Sequence, residues 1–109
     1  MYVILTSKVG EFRTEPEAGL APVESWDYLF CGRKKARFVI AEFDGDARIR
    51  IEDETPPPVV NRISTKFLQK FRTVEDARRE LEELARFGGE SFVLSRTDHR
   101  APPEPWELP

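Results

Sequence analysis

A chain of 109 residues, 39% hydrophobic and 34% charged, has the size and composition of one globular domain that buries roughly two-thirds of its unfolded surface. One cysteine excludes an intramolecular disulfide, and one cysteine with one histidine cannot assemble a structural zinc or iron–sulfur site within the chain. A net charge of −3 disfavours nucleic acid and anionic membrane as partners, except through a local basic patch.

The start, Tyr2 to Lys8, is apolar on both faces and reads as a central strand, too short and without the basic leader of a signal peptide or a membrane span. Val9-Gly10 punctuates it, and Glu11 to Glu15 alternates as a return strand. Pro16 to Pro22 reads as a loop. Glu24 to Cys31 reads as a third strand, with Trp26, Tyr28 and Phe30 on one face.

A basic connection, Gly32-Arg33-Lys34-Lys35, leads into Ala36 to Phe43, again apolar on both faces. Asp44-Gly45 supplies the positive φ angles of a two-residue hairpin turn. Its partner strand, Ala47 to Glu52, points Ala47, Ile49 and Ile51 inward and Arg48, Arg50 and Glu52 outward. The triple proline Pro56-Pro57-Pro58 is expected to end the sheet run.

Ser64 to Phe71 offers a cap and an i, i+1, i+4 apolar set, which predicts a short helix. A longer helix begins at the Thr73–Asp76 capping box. Its apolar stripe is Val74, Ala77, Leu81, Leu84 and Ala85, and Gly88-Gly89 ends it. Glu90 to Thr97 reads as the last strand. The expected fold class is α+β: a mainly antiparallel sheet of about five or six strands, with one long and one short helix packed on one face. Residues 1–97 would form a single domain and 98–109 a proline-rich tail.

No phosphate-binding glycine loop, nucleophile elbow or zinc spacing is present, so no catalytic, cofactor-binding or metal-ligating residue is assigned and no cofactor is implied. Cys31, beside Gly32 and Arg33, would be a nucleophile only if basic neighbours activated it; a small hydrophobe is the plainer reading. Three surface features have more character.

Arg33, Lys34, Lys35, Arg37, Arg48 and Arg50 would share one region if their strands paired through Asp44-Gly45, with Arg37 near Arg50 or Glu52. Such a patch suits a phosphate-bearing ligand, a nucleic-acid backbone or an acidic protein surface, whereas solvated turns are Lys/Arg-rich for solubility alone. In the tail, Pro105, Trp106 and Leu108 form a stiff segment able to dock on a partner or on its own domain. Phe71 and Phe87 are candidates for an apolar surface patch.

These features point to a small cytoplasmic, non-enzymatic accessory or regulatory component that docks on a larger protein. A nucleic-acid or phosphate-ligand module using the basic hairpin is the alternative, and a thiol-dependent or partner-completed enzyme the third. A protein partner is expected, nucleic acid is disfavoured, and no membrane association is expected; oligomeric state is not encoded legibly.

Overall fold

A computed structural model describes residues 1–17, 19–43, 47–53, 59–65, 68–87 and 92–97, without the side chains of Phe87 and Phe92. Among the described residues there are seven strands and one helix: β1 (Tyr2–Lys8), β2 (Phe12–Pro16), β3 (Leu20–Phe30), β4 (Arg33–Phe43), β5 (Arg48–Asp53), β6 (Val60–Ser64), α1 (Val74–Phe87) and β7 (Phe92–Thr97). The strands form one antiparallel sheet in the order β6-β5-β2-β1-β4-β3-β7. The α+β class and the central place of β1 agree with expectation. The strand count is higher than the five or six expected, and among the described residues there is one α-helix where a long and a short one were expected.

The order overturns the Asp44-Gly45 hairpin. β4 pairs with β1 over seven residues, from Tyr2↔Glu42 to Lys8↔Ala36, while β5 pairs with β2 and β6. Burial explains the choice. β1 and β4 are apolar on both faces and gain most by lying together at the centre, covered on both sides. β5 is apolar on one face only and joins β2 in a layer whose outer face meets water. A local turn signal at residues 44–45, which lie outside the described residues, does not outweigh that difference.

The tight hairpin falls one connection earlier. Phe30 faces Arg33 across Cys31-Gly32, whose φ values of 51° and 80° are both left-handed. Two such residues in succession are the signature of a type I′ turn, in which Asn-Gly is the favoured pair and a cysteine is strained.

β1 and β2 are in register only at Lys8↔Phe12, next to their turn, and diverge beyond it. The edge of β1 that β2 leaves open is taken by Phe71, which exchanges two backbone hydrogen bonds of 2.8 Å with Tyr2. Phe71 is therefore buried, at 8% exposure, and is not the surface residue expected of it. The segment read as a short helix instead supplies the end of β6, a buried Thr65 that bonds Ala47 through both its amide and its hydroxyl, and this bridge. Backbone groups needed by neighbouring strands outcompete a two-turn amphipathic pattern.

Divergence also folds the sheet over itself. Four steps separate β4 from β6 in the strand order, about 19 Å in a flat sheet at ~4.8 Å per strand. Yet Phe43 of β4 and Ile63 of β6 pack in one cluster with Val3, Leu5, Ala41, Ala47 and Ile49. The β2-β5-β6 half thus curls across one face of β1-β4-β3. The opposite face carries a second cluster, Ala36, Phe38, Ile40, Phe71, Ala77 and Leu81, roofed by α1. The sheet interior is apolar on both faces because each face has its own lid.

Helix α1 starts as expected, with the Asp76 amide donating to the Thr73 hydroxyl at 3.1 Å. Its buried stripe is Val74, Ala77 and Leu81, whereas Leu84 is 43% exposed and lies outside the core. Ser25, in β3, is 1% exposed and its hydroxyl has no hydrogen-bond partner among the described residues, a cost of roughly 1–3 kcal/mol.

The turn yields a stability prediction. Cys31→Asn places the residue best suited to left-handed backbone at this position and raises unfolding free energy by about 1 kcal/mol, whereas Cys31→Val lowers it. Urea denaturation under reducing conditions measures both; equal midpoints for the two variants would refute the strain at this turn.

Candidate functional site

The most densely wired charged cluster among the described residues centres on Glu24, and a backbone irregularity puts it there. In β3, Leu20 faces Phe43 and Pro22 faces Ala41, on the side of the curled half-sheet. Simple alternation would send Glu24 to that same apolar side. The register shifts between Pro22 and Glu24, so Val23 is an extra residue and Glu24 faces Ile40, on the helix side. Proline, which cannot donate to a ladder, sits naturally beside such a bulge. The same shift turns Trp26 and Tyr28 toward α1.

Glu24 is 2% exposed. An isolated carboxylate so placed would take up a proton rather than remain charged. Two hydrogen-bond donors and a further cation hold it ionised. Arg78 of α1 grips it in bidentate fashion through one guanidinium edge, Nε to Oε1 at 2.7 Å and Nη2 to Oε2 at 2.6 Å. The indole Nε1 of Trp26, two residues along the same face of β3, donates to Oε1 at 2.6 Å. Arg96 of β7, the cross-strand neighbour of Trp26, brings Nη2 to 3.7 Å from Oε2. One carboxylate thus ties β3, α1 and β7 together. The Arg78 hydrogen bonds lower the Glu24 pKa against the opposing pull of burial, with further help from Trp26 and from the charges of Arg78 and Arg96.

Beside this clamp is a cleft of about 260 Å³, lined by Trp26, Arg78, Leu81, Glu82 and Leu94. Its walls are apolar from β3, α1 and β7, and its rim is guanidinium on one side and carboxylate on the other. Because both Glu24 oxygens are occupied and the carboxyl is held ionised, the group is poorly suited to proton transfer near neutral pH. The arrangement suits recognition of a side chain.

The basic residues expected to converge do not. Arg37 is aligned with Ser7 and Asp27 rather than with Arg50 or Glu52, and it bonds Asp27 at 3.0 Å. Lys34 reaches the other Asp27 oxygen at 3.4 Å. Arg50 lies between Glu15 at 3.4 Å and Glu52 at 3.3 Å, on the outer face of β5. Arg33, Lys35 and Arg48 are exposed, the first two by the β3–β4 turn and the third on β5. The set is divided between two strands that are not neighbours, and half of it is paired with carboxylates.

Cys31 is exposed at the turn. Among the described residues there is no group of three or more His, Cys, Asp or Glu side chains able to hold a metal ion, and no helix long and apolar enough to cross a membrane. Pro105, Trp106, Leu108, His99 and the Phe87 side chain lie outside the described residues.

Sequence reasoning missed Glu24 and Arg78. Two signals were available: a proline inside a strand-forming run, which marks a bulge, and an arginine at the i+4 position from Val74 and three before Leu81, inside the buried arc of the helix. Set against known protein families, curated proteins and solved structures, the chain matches none.

The clamp predicts a pH dependence. With its folded pKa below the ordinary 4.5, Glu24 contributes stability that is fully present above that value and is lost as pH falls through the lower folded value. Glu24→Gln, which lacks the charge, is expected to be less stable by about 2 kcal/mol near neutral pH. The gap should narrow on acidification below 4.5. Chemical denaturation of both proteins across that range provides the check, and a gap that ignores pH would refute the ionised clamp.

Proposed function

We propose that the protein is a small non-catalytic interaction component that docks on a larger protein through the β7 edge and the adjoining cleft. The carrying observation is the juxtaposition of an open strand edge with a one-side-chain cleft. β7 is the last strand in the sheet order, and no described strand pairs with its outer edge. Leu94 of β7 lines the cleft, while Val93, on the opposite face, is 55% exposed. An added strand from a partner gains backbone hydrogen bonds from such an edge and specificity from the pocket beside it. At about 260 Å³ the cleft falls below the ~300–1,000 Å³ typical of small-molecule sites, which favours one apolar side chain of a peptide.

The polar groups of the site are engaged with one another, which supports binding rather than turnover. Division of the cations between two non-neighbouring strands, with half of them paired with carboxylates, gives the nucleic-acid reading no comparable support. An exposed free thiol at Cys31 favours a reducing, cytoplasmic setting.

Site-specific photo-crosslinking in the source cells tests the reading. A crosslinker at Val93 or Arg96 should trap one discrete protein, and crosslinkers at Arg13 and Arg48, on the curled half-sheet, should not. Crosslinks equally distributed over all four positions, or none from β7, would remove the proposal.

A further inference from the structure

We infer that the cleft has an occupant within the same chain: the proline-rich segment 98–109 turns back and seats Trp106 between α1 and β7. This rests on reading the cleft as a docking site, and it adds a competitor that a partner must displace.

Register supplies the first argument. β7 ends with Thr97 opposite Ser25, after Arg96 opposite Trp26. One more position along β3 is Glu24, so the described end of β7 lies beside the clamp. Leu94, in the cleft wall, is three residues back from Thr97, about 10 Å along a strand. Eight residues lie between Thr97 and Trp106, so the nine steps from one to the other span up to ~30 Å when extended. The segment therefore has length for a reversal and a return to Leu94, with slack for a turn.

Chemistry supplies the second. The cleft takes one large apolar group, with Leu81 and Leu94 as walls and Trp26 beside them. Between residues 98 and 109 only Trp106 and Leu108 are large and apolar, and the indole alone also gains from guanidinium groups at the rim. Trp106 is flanked by Glu104 and Glu107. The clamp sets two arginines against the single Glu24 carboxylate, and Arg96 keeps 62% of its side chain exposed. Acidic residues flanking the indole complement that excess; Glu82, on the helix wall, repels them from the other rim and so fixes the side of approach. Pro102, Pro103 and Pro105 reduce the conformational entropy lost on docking.

Nuclear Overhauser contacts of the Trp106 ring in the full-length protein provide the test, with Trp106→Phe assigning its indole signal. Contacts from Trp106 to the methyl groups of Leu81 and Leu94 are expected, and they should persist on dilution. The double variant Glu104→Lys/Glu107→Lys, which alters no residue of the folded sheet, should weaken them and shift the Trp106 indole toward its position in the free 98–109 peptide. A Trp106 indole already at that free position in the wild-type protein overturns the inference. Contacts that vanish on dilution also overturn it, since the occupant is then a second copy's segment. Crosslinking from Arg96 to another protein is a separate result: if it persists while the Trp106 contacts are absent, only the intrachain occupant fails. If the contacts are present and no partner is trapped, the interaction reading fails instead.

Discussion

A carboxylate taken almost wholly out of water needs opposite charge and donors close at hand, and Glu24 draws them from three elements. Arg78 comes from the helix, Arg96 from the last strand and the Trp26 indole from its own strand. Removing one partner from a buried pair leaves an uncompensated charge, which is far more costly than an intact pair is stabilising. The pair therefore acts chiefly as a specifier: α1 must lie at the one place and rotation that brings Arg78 to Glu24. Apolar contacts of Ala77 and Leu81 with Phe38 and Ile40 tolerate more latitude, because dispersion and burial are not directional.

The clamp depends in turn on the extra residue at Val23. Without it, Glu24 would face the apolar interior of the curled half-sheet, where Leu20, Val39 and Ala41 offer no donor. With it, the same strand contributes Leu20 to one core and Trp26 and Tyr28 to the other. The bulge is thus the point at which β3 changes allegiance between the two layers. The early divergence of β1 from β2 performs the matching task on the other side, letting β5 and β6 fold over the face that α1 does not cover.

That architecture concentrates accessible features on one flank. The cleft, the clamp and the outermost strand all lie where α1 meets β7, while the outer face of β2-β5-β6 is laced with exposed or half-exposed ion pairs such as Arg50–Glu15 and Arg62–Glu17. Exposed pairs of this kind contribute little and keep a surface hydrated. The contrast between a wetted face and an apolar cleft beside an open edge makes the β7 flank the more favourable docking surface.

Much of the local structure was legible from residue patterns alone. Two-sided apolar runs at Tyr2–Lys8 and Ala36–Phe43 marked central strands, one-sided alternation at Ala47–Glu52 marked a strand with a wet face, and Thr73 with Asp76 marked the helix start. Those signals are carried by neighbours in sequence, whose periodicity reports burial directly. Pairing is a different matter. Which strand β4 chose, whether Phe71 lay inside or outside, and which arginine met Glu24 were settled by competition among segments distant in the chain. Asp44-Gly45 had the right turn chemistry and lost, because burying both faces of β4 against β1 is worth more than a favourable two-residue turn. Glu24 looked like an ordinary strand residue because its partners are 54 and 72 positions away in the chain, close only once the helix and the last strand have packed.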